Sequence, residues 1–107
     1  MIKLTYDTEI ANQVIWKYEL APLTQLQLPR GAQIVHVGSQ DTEVVIWAAV
    51  DPTVEQDSNR LFRVVPTGRP FDPAEVHSYL GTTQMANGLV FHVLELRSPA
   101  APEVTCD

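Results

Sequence analysis

Apolar residues in this chain recur at every second position or in short unbroken runs, and hardly anywhere at the three-and-four spacing of an amphipathic helix, so the pattern predicts strands. The firmest stretch is the last. Two apolar segments, 79–85 and 89–96, flank Asn87-Gly88. That dipeptide supplies the positive φ values of a two-residue type I′ turn, which predicts an antiparallel hairpin. Alternation places Leu89, Phe91 and Val93 on one face and Val90, His92, Leu94 and Leu96 on the other. A ribbon apolar on both faces needs cover on both, from a second layer of the same chain or from another copy of it.

Upstream, 14–20 alternates Trp16, Tyr18 and Leu20 with Ile15, Lys17 and Glu19 and reads as a half-buried strand ended by Pro22. Leu26 and Leu28 alternate with Gln25 and Gln27 up to a turn at Pro29-Arg30-Gly31. Segments 33–37 and 43–50 flank a polar loop over 38–42, a hairpin with a few extra residues. The unbroken run 44–50, with Ala48 and Ala49 after Trp47, predicts the most buried strand. A further β-run over 61–65 closes at Pro66-Thr67-Gly68-Arg69-Pro70. Asp72, Pro73 and Glu75 then take the N-cap, N1 and N3 positions of a helix that Ser78 and Gly81 limit to about two turns. Residues 2–8 are an edge strand or an arm. The predicted organisation is a single β-rich domain over 1–97 with a flexible C-terminal tail over 98–107. Its fold class is mainly β: a small antiparallel sandwich or partly open barrel of six or seven strands with one short helix.

A chain of 107 residues supports one core, burying roughly 65% of the unfolded surface. A hydrophobic share of 45% excludes wholesale disorder. The net charge of −6 opposes non-specific binding to nucleic acid, which rests on Lys and Arg neutralising phosphates. A small anionic ligand is still permitted, because it needs only a local cluster of donors. The single cysteine, Cys106, has no partner for an internal disulfide. Residues 1–7 lack the apolar run of a signal peptide, and 44–50 falls far short of the ~20 residues that span a bilayer. The expected setting is intracellular, with no membrane partner.

Several motifs recur together in a known order: Ile15-Trp16-Lys17-Tyr18, Leu28-Pro29-Arg30-Gly31-Ala32, Trp47-Ala48-Ala49-Val50-Asp51-Pro52, Thr67-Gly68-Arg69-Pro70, Tyr79-Leu80-Gly81-Thr82 with Gln84, and Leu89-Val90-Phe91-His92-Val93. In them the chain, over roughly 14–93, resembles a family of small proteins of unknown function common in tailed phages and prophages. The resemblance implies an accessory protein acting in the cytoplasm of a host bacterium. By analogy with other small phage proteins, it implies an inhibitor that binds a host factor or a defence signal.

Thr67-Gly68-Arg69 is the leading candidate site. Glycine in a turn lets consecutive amides converge on an anion, and Arg69 adds a planar fork suited to phosphate or carboxylate; the plain alternative is a turn with Arg69 solvated or paired to Asp72. Arg63 is a second candidate donor. Tyr79, Thr82 and Gln84 form another group, in which alternation sets Thr82 and Gln84 opposite Tyr79. Trp16, Tyr18 and Trp47 are either stacking surfaces for a flat ligand or core anchors. His36, His77 and His92 lack metal-ligand spacing, so no metal and no cofactor is expected. His36 and His92 either meet across strands or sit hydrogen-bonded in the core. No nucleophile or paired acid points to catalysis, so the chain reads as a non-enzyme.

The leading expectation is a homo-oligomer that sequesters a small anionic ligand, such as a nucleotide defence signal. Trp16 or Trp47 would stack the base, with Thr67, Gly68, Arg69, Arg63 and Tyr79 around it. The alternatives are a protein-binding inhibitor of a host factor and a small nucleotide hydrolase with His92 or His36 as base.

Overall fold

Strand alternation decides how the two layers of this chain meet. The computed structural model describes residues 12–97, so the readings for 2–8, for the 98–107 tail and for Cys106 lie outside the described residues. Within them run β1 (Val14–Leu20), β2 (Leu23–Leu28), β3 (Gln33–Gln40), β4 (Glu43–Val50), β5 (Ser58–Pro66), β6 (Val76–Gln84) and β7 (Val90–Leu96). They form two antiparallel sheets, ordered β1-β4-β3 and β2-β5-β7-β6, that do not close into a barrel. The mainly β class with one short helical turn is therefore the fold. Among the described residues no helix is long and apolar enough to cross a membrane.

One face of each sheet turns inward. Val44, Ile46, Ala48 and Val50 of β4 meet Phe62 of β5 and Val93 of β7, all buried, while Trp16 and Tyr18 of β1 pack partly buried against them. Removing this apolar surface from water contributes about 25 cal/mol per Å². The sheets approach closest where β3 lies against β6. A Cβ placed on Gly81 would stand 3.2 Å from two carbon atoms of Val37, and the Ser39 hydroxyl donates to the Gln84 carbonyl at 3.1 Å.

At the far end of the core an ion pair is enclosed between the layers. Arg60 Nε and Nη2 donate to the two carboxylate oxygens of Glu95 at 2.7 and 2.8 Å, and Nη1 donates to the Ala32 carbonyl at 2.7 Å. Tyr18 is less well served, since its hydroxyl is buried with no hydrogen-bond partner among the described residues. Burial also pushes the phenol above its ordinary pKa. An unsatisfied buried hydroxyl costs about 1–3 kcal/mol. Tyr18→Phe should therefore gain about 1 kcal/mol of unfolding free energy, seen as a higher urea midpoint at unchanged slope. A loss of stability would mean that the hydroxyl is paired.

Four local expectations are corrected. Gly38 and Ser39 belong to β3 rather than to a loop, and the turn to β4 is only Asp41-Thr42, with Asp41 at φ +54°. Gly38 is there for the indole of Trp47, whose ring would lie 3.0 Å from an added Cβ. The predicted two-turn helix is a single 3₁₀ turn, Pro73–Glu75. Asp72 does cap it, accepting from the Ala74 amide at 2.9 Å, but Val76 already pairs with Leu96 of β7 and ends it. The β6–β7 turn is not type I′, because Asn87 does not take positive φ. Gly88, at φ +93°, donates to the Met85 carbonyl at 2.9 Å, closing a three-residue turn of the bulged kind, and Asn87 instead caps the Leu89 amide at 3.0 Å.

The fourth correction is a β-bulge. Register slips between Tyr79 and Gly81, so Tyr79 stands opposite Leu94 and Thr82 opposite His92, all on the outer face of the sheet. Tyr79, Thr82 and Gln84 therefore share a face, which alternation alone denies.

The doubly apolar ribbon is covered on both sides by its own chain. Phe91 and Val93 face the core, while Leu94 and Leu96 join Val65 and Val76 in a second buried cluster on the outer face. The β5–β6 connection folds over that face, held by Arg63 to Glu75 at 3.5 Å and by Arg97 Nε to the Ala74 carbonyl at 2.9 Å. This ribbon supplies no reason of its own for a second copy.

Candidate functional site

β5 outruns β2, and a cleft opens where it does. The β2–β5 register begins at Leu23 opposite Arg63, and the Val64 amide makes one more bond, to the Pro22 carbonyl at 2.9 Å. Beyond that point the end of β5 borders a gap between the layers. The gap is walled by the β1–β2 corner at Ala21-Pro22, the β3–β4 turn at Thr42-Glu43, and Arg69-Pro70 of the β5–β6 connection. Its volume is about 740 Å³, within the range of small-molecule sites. Leu20, Val44, Val64, Met85 and Phe91 make its interior apolar, and Arg63, Arg69, Glu43 and Thr42 add polar groups.

Of the residues singled out by sequence, Arg63 and Arg69 line this cleft together. Arg63 is half-buried, and its guanidinium meets Glu75 at 3.5 Å on the outer face, so it borders the cleft from the edge of β5 with its charge partly engaged. Arg69 is exposed and has no ion-pair partner among the described residues. Asp72 is occupied in capping the 3₁₀ turn rather than in pairing with it.

Thr67 and Gly68 form the turn that carries Arg69. Gly68 sits at φ +93°, and the Arg69 amide donates to the Pro66 carbonyl at 3.1 Å, as a type II turn requires. The Thr67 amide donates to the Val90 carbonyl at 3.1 Å. Two of the three consecutive amides are thus engaged within the chain, which leaves the Arg69 side chain as the charged donor of the turn.

His92 fixes this turn to the sheet. Its Nε2 lies 2.7 Å from the Thr67 hydroxyl and its Nδ1 lies 2.9 Å from the Thr82 hydroxyl. Thr67 also donates to the Val90 carbonyl at 3.3 Å, so it accepts from Nε2–H while Thr82 donates to Nδ1. Both ring nitrogens are then engaged within the chain, tying the turn to the sheet. Tyr79, 66% exposed, stands beside this arrangement with Phe71 edge-on at 6.2 Å between ring centroids.

The tryptophans are elsewhere. Trp16 lies on the inner face of its sheet against the core, and Trp47 lies on the outer face, 5.5 Å from the His36 ring. Neither lines the cleft, whose aromatic wall is Phe91. His36 and His92 are in different sheets and do not meet. No group of three metal-ligating side chains gathers among the described residues. Sequence reasoning missed Phe91, Met85 and the Ala21-Pro22 wall because the cleft is assembled from three separate connections and the strand ends between them, each locally ordinary.

A family model described as a domain of unknown function, DUF7352, matches residues 11–104. No curated protein and no solved structure matches the chain.

Proposed function

Because the chain belongs to the DUF7352 family, a domain of unknown function, we propose a role from the cleft itself: a non-catalytic protein that binds and sequesters a small ligand with an apolar body and an anionic head. The observation that carries it is Arg63 and Arg69 bordering one apolar cleft of about 740 Å³. Phe91, rather than Trp16 or Trp47, is the ring available to a flat body. An arginine fork suits phosphate or carboxylate, so a nucleotide is the first class to try. The resemblance of the Ile15-Trp16-Lys17-Tyr18 and Leu89-Val90-Phe91-His92-Val93 motifs to small tailed-phage proteins supports an infected bacterial cytoplasm as the setting and a nucleotide signal of host defence as the ligand.

Thermal unfolding with a panel of nucleotides tests this. A ligand at 100 times its Kd should add about 2.7 kcal/mol of stability, and Arg69→Ala, which removes an exposed side chain without a partner among the described residues, should abolish the shift. An unchanged melting curve across the panel would count against the reading. Conversion of the bound nucleotide would replace it with the hydrolase.

A second reading, a protein-binding inhibitor of a host factor, draws on the outer face of β1-β4-β3. There Ile15 and Val35, 55% and 52% exposed, flank half-buried Trp47. Isolation of one stoichiometric protein partner, lost in Trp47→Ala, would favour it.

A further inference from the structure

The outer edge of β1 is where the first sheet is left open. β1 pairs with β4 on one side, and no described strand pairs with the other. Such an edge offers unpaired backbone donors and acceptors to any strand that reaches it, and proteins commonly blunt it with proline, a bulge, an inward charge or exposed charges, lysine above all. β1 has no proline, bulge or inward charge, and its exposed charges are of both signs. It runs seven residues in unbroken register with β4, and its two charges, Lys17 and Glu19, are exposed on the outer face. Lys17 donates to the neutral Gln40 amide oxygen at 2.6 Å, and neither charge has an ion-pair partner among the described residues.

We propose that this edge pairs antiparallel with β1 of a second copy, about a two-fold axis that sets Tyr18 opposite Tyr18. A two-fold perpendicular to a continuous sheet must place one residue opposite itself, which leaves few registers in the middle of the strand. Centring on Lys17 or on Glu19 sets like charges face to face, and centring on Trp16 sets Lys17 opposite Ile15. Only the Tyr18-centred register sets Lys17 opposite Glu19, and it does so twice, while Trp16 meets Leu20 on the inner face. Opposite charges directly across strands stabilise a pairing and like charges oppose it. The product is a six-stranded sheet shared by two copies. It stands apart from the ligand reading, because it is measured with no ligand present.

Size-exclusion chromatography with light scattering over a range of concentrations tests it. The unaltered chain should form a dimer. Lys17→Glu or Glu19→Lys alone turns both pairs repulsive and should raise the dimer dissociation constant about tenfold. The double variant Lys17→Glu/Glu19→Lys restores both pairs and should restore the dimer. Both side chains are exposed, so the variants keep the fold, which circular dichroism checks. Three results would each overturn the proposal: a monomer at every concentration, a dimer that neither single variant weakens, or a double variant as weak as the singles. The second would place the contact at another surface, such as the β2 edge.

Discussion

Arg60→Ala should lower the unfolding free energy by about 3 kcal/mol, a large part of the total for a domain of this size. The carboxylate of Glu95, its side chain only 9% exposed, would be left between the sheets without its two charge-assisted bonds. The Ala32 carbonyl would lose its donor as well. Breaking one partner of a buried pair costs about 3–5 kcal/mol. The lower end applies here because the Arg60 side chain keeps 21% exposure. Each kcal/mol corresponds to roughly 4–8 °C of melting temperature in a domain this small, so thermal and urea unfolding both resolve the effect.

The same cost need not appear when both partners go. Arg60→Met/Glu95→Met fills the site with apolar side chains and leaves no unpaired charge, and such replacements are often neutral or stabilising. The double variant should therefore unfold nearer to the unaltered protein than Arg60→Ala does. If it falls as far or further, the pair contributes net stability beyond satisfying its own burial.

Strand alternation made much of this fold legible. Trp16, Tyr18 and Leu20 do share the inner face, Phe91 and Val93 do turn inward, and the 44–50 run is the heart of the core. What escaped were features that one strand cannot encode alone. Gly38 looked like a loop residue because the ring that requires a glycine there, Trp47, comes from the next strand. Thr82 and Tyr79 seemed to oppose each other because a bulge leaves no mark in the alternation it interrupts. Glu95 did carry a signal, a carboxylate inside the apolar strand Val90–Leu96, but its partner Arg60 is 35 positions away. The candidate site was half visible for the same reason. Arg69 and Arg63 stand out as local cations, whereas the cavity between them exists only once two layers meet.

Gly81→Val should destabilise the protein by about 2–3 kcal/mol, because it forces volume into the seam where β3 and β6 lie closest. A Cβ alone would already sit 3.2 Å from both Cβ and Cγ2 of buried Val37, tighter than ordinary contact, so although Gly81 itself is exposed a branched side chain there starts from a clash. The bulge before Gly81 is what brings this position inward, beside Leu80 and opposite Val93. The backbone register with β7 fixes the Cβ against Val37, and only the methyl groups beyond it can turn toward solvent. Val37→Ala alone also destabilises, by opening a void. Combined with Gly81→Val, however, it removes the methyl groups that collide, so the two changes should cost less together than the sum of their separate effects, with a coupling of about 0.5–3 kcal/mol. Strict additivity would mean that the sheets part to admit the valine instead of pressing it against Val37. Parting has a second readout: the Ser39–Gln84 bond at 3.1 Å leads directly to Met85 on the cleft wall. A sandwich pried open at the seam would then expose the cleft wall to hydrogen exchange at Met85, while one that stays closed and strained would lose stability alone.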